Sequence, residues 1–510
     1  MDVDSAEVCR SCQSGDHSLN SPAGRLLRSG ILPWARCRHA SDEPDNCPQG
    51  VRGDLRDGRF RLAAGLLLVL AVVALFGGWQ HAARVAAEHE TARVATRAQW
   101  VHQPAKNPHS AAHYGVYAFR PQTPLAAVDT GVDPYVGVAA WLEAHRQNEF
   151  RFRPAADRAS VQRVGDLNAA FVLQVLLPLV VIVLGFATVA GERESGTLRQ
   201  LLGTGVSLTA LVLGKAAGLV GVLALVLVPT VAIGALAISW SSVTEVWESD
   251  TIRTAWLMAA YLLWAAIWVG LTVTVSLVSR TTRLALVTLL AIWMGSALVA
   301  PRVVLEVAAR LHPTPSAASF ERAMAADLAD QSEVDRRLDA RRRELFALHG
   351  VSTEAQLPLG FSGISLQEGE EYANGVFDRH FGALHDTFER RNRLAQWAGV
   401  LAPSVAIRSL SMGLAGSDFA HHRHFASAAE TYRRDLQRKL NGDIVLHQRP
   451  GQTYLADASL WSSIPDFDYR APDAGWVFHQ QAPAVVALLT WLLCLSAALL
   501  WAARRVRVGA

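Results

Sequence analysis

From Ala169 to Ala190 the chain carries no charged residue. Crossing about 30 Å of hydrocarbon takes roughly 20 apolar residues. A single run of this kind crosses as a helix, because no water is present there to satisfy an open backbone. Five other stretches share this character: Leu62 to Trp79, Leu208 to Trp240 (interrupted by Lys215 and Pro229), Ala255 to Val278, Leu284 to Ala300 and Pro483 to Ala503. The chain therefore reads as an all-α integral membrane protein with six transmembrane helices. Composition agrees, since only 18% of residues are charged against about 25% in soluble domains. A formal charge of +3, without any zinc-finger or RNA-binding signature, excludes a nucleic-acid partner. Membrane lipid is the expected surrounding.

Basic residues near span ends mark the cytoplasmic side. Arg52, Arg56, Arg59 and Arg61 precede the first span, and Arg504, Arg505 and Arg507 follow the last. Arg193, Arg199, Lys215, Arg280 and Arg283 fall in short loops on that same side. The loop between spans three and four instead holds Glu245, Glu248 and Asp250 against Arg253. Both termini are thus expected in the cytoplasm; Arg302 and Arg310 open a long loop, where the rule is weak. The expected organisation is a disordered cytoplasmic tail (1–51), a lead-in and first span (52–80), and an extracytoplasmic segment (81–166). Spans two to five with a cytoplasmic segment at 191–207 follow (167–300), then an extracytoplasmic helical domain (301–481), then the last span and a basic tail (482–510). Within 301–481, helical apolar spacing recurs at Phe320, Met324 and Leu328 and at Leu338, Leu345 and Leu348. Glu368 to Trp397 and Asp418 to Asn441 also read as helices.

Several chemistries are set aside. Gly214-Lys215 is followed by Ala216 and belongs to no phosphate-binding loop. His89-Glu90 lacks the second histidine of a zinc protease, and no nucleophile elbow is present. No catalytic residue and no cofactor is expected. Cys9 and Cys12 have a knuckle spacing, but Cys37 and Cys47 are too far apart for a usual zinc site. Their Ser-, Asp-, Gly- and Pro-rich surroundings read as disordered and contain no apolar core of a signal peptide. His421, His422 and His424 lie close in sequence, yet only i, i+3 and i, i+4 neighbours converge on a helix. Packing is expected of them, and no metal. Five methionines without a tract offer no soft copper site. Glu370-Glu371 reads as a solvated helix face, and no inverted repeat is evident.

The distinctive segment follows the second span directly: Gly191-Glu192-Arg193-Glu194-Ser195-Gly196-Thr197-Leu198-Arg199-Gln200-Leu201-Leu202. Leu198, Leu201 and Leu202 share one helical face. Glu192 and Glu194 are placed at the N-terminal turn, where carboxylates complement the helix dipole. A short helix at the cytoplasmic membrane surface fits this pattern, with Lys215 snorkelling one step into the next span. An ordinary interfacial loop helix satisfies the same residues. The run from Glu192 to Leu202, followed by Gly214-Lys215, resembles the coupling segment of ABC-2-type permeases: Glu-x-x-x-Gly-Thr-Leu-x-x-Leu-Leu, then Gly-Lys. More narrowly, the chain resembles the permease branch associated with multicopper-enzyme maturation. Arg56-Asp57-Gly58-Arg59, His421-His422-Arg423-His424-Phe425, Tyr432-Arg433-Arg434 and Asp466-Phe467-Asp468-Tyr469-Arg470 carry that likeness. It covers nearly all of 52–510 and leaves out the first fifty residues.

The resemblance implies a permease subunit in the inner membrane of a bacterium, without enzyme activity of its own. It implies a second permease subunit, identical or not, and a separate cytoplasmic ATPase. On that ATPase Glu192, Glu194, Gly196, Thr197, Leu198, Leu201 and Leu202 would dock, with Leu198 and Leu201 filling an apolar cleft. Intramembrane charges that would mark a substrate path are nearly absent from the spans. That pattern suits an amphiphilic cargo, or a mechanotransmitter that works an extracytoplasmic partner without transport. A membrane-anchored sensor or assembly factor would need no ATPase.

Overall fold

The computed structural model describes residues 58–147, 149–151, 168–240 and 248–506. The tail expected over 1–51, its four cysteines and Glu245 lie outside these residues. In chain order the elements are α1 (Gly58–Val101), α2 (Pro108–Ala112), β1 (Val116–Phe119), β2 (Ala139–Leu142) and β3 (Glu149–Arg151). Next come α3 (Ala169–Glu194), α4 (Thr197–Gly203), α5 (Leu208–Trp240), α6 (Glu248–Val278) and α7 (Thr282–Leu311). The remainder are α8 (Ala317–Ala329), α9 (Ser332–His349), α10 (Phe361–Ala398), α11 (Pro403–Ala415), α12 (Phe419–His447), α13 (Ala458–Ser463) and α14 (Ala474–Arg505). Helices α1, α3, α6, α7 and α14 are long and apolar enough to cross a membrane. The first part of α5 adds a sixth candidate if joined to α4, from which it is bent by 114°.

The bundle is built around α6. Its Trp264, Trp268, Val273 and Leu277 meet Val181 and Ile182 of α3 and Ala487 and Leu488 of α14. From α1, Ala64, Leu67, Ala71 and Ala74 turn inward at helical spacing, while Leu62, Leu66, Val69 and Val73 stay exposed on the opposite side, the arrangement of a helix at the lipid boundary. Two prolines interrupt helices of the bundle in the same way. Pro178 and Pro301 each remove an amide and crowd the carbonyl four residues earlier. Just before them the helices widen into single π turns, Val172–Leu176 and Gly295–Val299. Side chains repair the backbone there. Trp264 donates to the Leu173 carbonyl at 3.1 Å, Trp293 to that of Val175 at 3.0 Å, and the Ser404 hydroxyl to that of Ser296. In lipid such repair is obligatory, since no water can substitute.

Helix α1 does not end at Trp79, where its apolar run stops. It has 44 residues, about 66 Å at 1.5 Å per residue, or twice the hydrocarbon thickness. The change from apolar to charged residues ends the membrane run but supplies no helix stop. Gly78 instead admits a close neighbour, because a Cβ there would lie 2.0 Å from the Ala127 carbonyl oxygen.

The far end of α1 enters a polar domain drawn from both segments expected outside the membrane. Trp100 of α1, Val116, Ala118 and Leu142 of the sheet, Phe425, Leu436 and Leu440 of α12 and Trp461 of α13 form one core. The sheet is antiparallel in the order β1-β2-β3, with Val116 opposite Leu142 and Ala139 opposite Arg151. Helices α8, α9, α10 and α12 appear where apolar spacing placed them. Helix α11 was not foreseen. Its Ala406, Ile407, Leu410, Leu414 and Ala415 belong to the bundle core, although the helix lies within the segment read as external.

Candidate functional site

The segment after α3 forms an elbow held from three sides. Past Gly185 the helix loosens, and Ser276 of α6 takes up the freed groups. Its hydroxyl accepts from the Val189 and Ala190 amides at 3.1 Å each and donates to the Phe186 carbonyl at 2.8 Å. One helical turn follows, Ala190–Glu194. Gly196 then adopts φ +78°, a left-handed conformation that glycine enters without steric cost, and α4 begins. Glu192 accepts from Lys215 of α5 at 2.6 Å. Arg193 donates to the Ser279 and Leu277 carbonyls at 2.5 and 2.8 Å, capping the C-terminus of α6 with a cation. Glu194 accepts from the Thr282 hydroxyl at 2.8 Å, at the start of α7. The elbow is therefore fastened to the ends of α5, α6 and α7.

Two expectations change at this point. Leu198 is only 1% exposed and belongs to the bundle core, so it anchors the elbow inward instead of filling a partner's cleft. Leu201 and Leu202 are half-buried on the same side. Glu192 and Glu194 do not open α4; the left-handed Gly196 separates them from it, and their partners are Lys215 and Thr282 instead of a helix dipole. The Lys215 ammonium meets Glu192. The outward surface comprises Glu194, Ser195, Gly196, Thr197, Arg199, Gln200, Gly203 and Thr204.

A second constellation lies where the bundle meets the polar domain. Arg253, near the start of α6, is 1% exposed and stands 2.7 Å from His421 Nε2. Arginine only donates, so this nitrogen accepts and Nδ1 carries the proton, directed at Asp418 Oδ1 at 2.6 Å. Gln481 of α14 donates to Asp418 Oδ2 at 2.8 Å, and Ser409 donates to Gln481 at 2.9 Å. Beside it, Gln174 donates to the Tyr261 hydroxyl at 3.1 Å, Tyr261 meets Ser411 at 2.8 Å, and Ser411 donates to Asp129 at 2.6 Å. Burial opposes ionisation of Asp418, but His421, the His421 amide and Gln481 outweigh it and hold the carboxyl below its ordinary range. Burial pushes the Asp129 carboxyl up. Buried charge thus collects at the end of the bundle, where the polar domain covers it. The members come from α3, α6, α11, α12 and its N-cap residue, α14 and the loop between β1 and β2, and no single stretch displays them.

The remaining histidines of the 421–424 cluster diverge. His422 packs on Phe150, with ring centroids 4.5 Å apart, and His424 Nδ1 meets the Tyr469 hydroxyl at 2.9 Å. Glu370 is not solvated. It is 1% exposed, 2.7 Å from His145 and 3.9 Å from Arg433.

A bundle of long apolar helices with a tied, surface-exposed elbow between two of them is a multi-pass membrane protein. Residues 52–353, more than half of the 510, match the ABC-2 family transporter protein model, and the chain belongs to that family. It is a membrane permease of an ABC transporter, a class that in general works with a cytoplasmic ABC ATPase. Residues 317–470 match a domain of unknown function, DUF3526. No curated protein matches the chain.

Proposed function

We propose that the elbow is the docking site of a separate cytoplasmic ATPase and that a second permease subunit completes the transporter. The observation that supports this reading is the elbow's mechanical position. It leaves Glu194 to Thr197, Arg199 and Gln200 on the surface while Glu192, Arg193 and Glu194 bind α5, α6 and α7. A push on the exposed face displaces the ends of three bundle helices together. The narrower likeness to the multicopper-enzyme-maturation branch belongs to the same reading, without copper as its cargo. Work on a partner outside the membrane is favoured over passage of a polar solute. Helix α1 runs unbroken from bundle to polar domain, and the cavity of about 210 Å³ beside Trp268, Trp491 and Pro403 has mostly apolar walls.

In this reading the elbow and both termini face the cytoplasm of a bacterium, and the polar domain lies outside its inner membrane. Ser352 and Thr204 are both exposed, so cysteines there report sidedness in a background lacking the five native cysteines. A membrane-impermeant maleimide should label Ser352→Cys in intact spheroplasts, and Thr204→Cys only after lysis. The reverse pattern overturns the orientation. A cysteine at Gln200 should cross-link to the co-expressed ATPase, with a yield that changes between nucleotide-free and ATP-bound states. Failure to cross-link from Gln200, Arg199 and Thr197 alike would remove the docking assignment.

A further inference from the structure

Away from the elbow, three imidazoles from two separate parts of the polar domain face one another. His109 and His113 are i, i+4 neighbours at α2, the spacing that places side chains on one helical face. His145 comes from the turn between β2 and β3. Ring centroids are 5.1 Å apart for His109–His113 and His109–His145, and 4.9 Å for His113–His145. Their ligand nitrogens lie within 4.8 Å of one another. His145 holds φ +65°, the one positive value for a non-glycine among the described residues, a conformation that costs of order 1 kcal/mol.

Two of these rings have an oxygen acceptor behind Nδ1. Asn441, 1% exposed, presents its carbonyl oxygen 3.2 Å from His109 Nδ1 and orients its amide by donating to Gln367 at 3.1 Å. The buried Glu370 carboxylate stands 2.7 Å from His145 Nδ1. The acceptor at His109 Nδ1 and the carboxylate beside His145 Nδ1 favour hydrogens on those atoms, the tautomer in which both Nε2 atoms present lone pairs. Those two lone-pair atoms are 3.2 Å apart. A shared proton would relieve that opposition for two rings but gives no reason for the third. A cation with bonds of about 2.0–2.1 Å to imidazole nitrogen brings tetrahedral ligand atoms to about 3.4 Å separation. The His109–His145 pair already stands near that distance, and His113 reaches it by rotating its exposed ring. The carboxylate behind one histidine and the amide carbonyl behind another are the outer partners that orient metal-binding imidazoles.

We propose that His109, His113 and His145 bind one divalent late d-block cation of the zinc class, with a fourth position open to solvent. Three nitrogen donors suit such an ion and not Ca²⁺ or Mg²⁺, which take oxygen. The open position fits a site that takes up and passes on its ion, since closed structural sites have four protein ligands.

The test uses the full chain purified in detergent with a non-histidine tag, titrated with Zn²⁺ and, for its d–d spectrum, with Co²⁺. Wild type should bind one equivalent, and Co²⁺ should give a tetrahedral spectrum. His113→Ala and His145→Ala should abolish both signals while eluting as wild type does on size exclusion, and Glu370→Gln should weaken binding about 10- to 100-fold. A Cys9→Ser/Cys12→Ser variant should bind as wild type does. The proposal is overturned if wild type takes up no stoichiometric Zn²⁺, if the histidine variants keep it, or if the ion follows the cysteines.

Discussion

Leu198→Asp should destabilise the permease itself and, if the elbow is the proposed dock, abolish coupling to an ATPase, whereas Arg199→Glu, one residue further along, should affect only that proposed interface. Leu198 is fully inside the bundle; removing its side chain from that core forfeits about 1.5–3 kcal/mol, and a carboxylate left there without a partner adds several more. The elbow would detach from the ends of the helices it joins. Thermal unfolding of the permease alone should shift down by several degrees, and coupled ATP turnover should drop more than 10-fold. Arg199 is exposed, so its reversal should leave that unfolding curve in place. It should instead weaken ATPase co-purification by a salt-sensitive amount of about 1 kcal/mol, the scale of a rim charge. Unchanged unfolding in Leu198→Asp would refute the inward anchor. Normal ATPase recovery with both Arg199→Glu and Gln200→Glu would move the dock elsewhere.

The second large effect is expected at Asp418. Asp418→Ala removes the cap of α12, whose His421 amide it accepts at 3.0 Å, and leaves Arg253 buried with Asp250 4.0 Å away. Asp418 reaches Arg253 through His421; losing a buried charged hydrogen-bond partner costs about 1.5–3 kcal/mol, and the lost cap adds about 1 kcal/mol. The polar domain should loosen from the bundle, read as protease sensitivity between α11 and α12 and a lowered unfolding temperature. Adding Arg253→Met should recover part of the loss, because the guanidinium then keeps only Asp250 as a nearby carboxylate and methionine fills its space without charge. If the double variant were as unstable as the sum of the two single ones, the pair would not be coupled.

The membrane class of this protein was legible in its sequence because the cause is local. Hydrocarbon demands long uncharged stretches, and a helix there satisfies its own backbone within each stretch. The elbow was legible too, as an abrupt polar break with Leu198, Leu201 and Leu202 on one face. Which way Leu198 points was not. An apolar face at a membrane surface can turn toward the protein, a partner or lipid, and the neighbouring helices decide. The same holds for Lys215, whose counter-ion Glu192 is 23 residues away.

What only the tertiary structure decided depends on residues far apart in the chain. Arg253 and His421 are separated by 168 residues, and each alone reads as an ordinary polar position at the end of a span or helix. Glu370 looked solvated because its own helix is charged, yet a hairpin turn from the other segment covers it. His109, His113 and His145 gave no sign as a group, since α2 is five residues long and His145 sits in a turn. Uninterrupted apolar length recovered five of the six expected spans as single long helices, and periodicity, which reports the face that an element presents, recovered helices of the polar domain. It carries no information about which face of another element arrives opposite, and both buried polar clusters are made there.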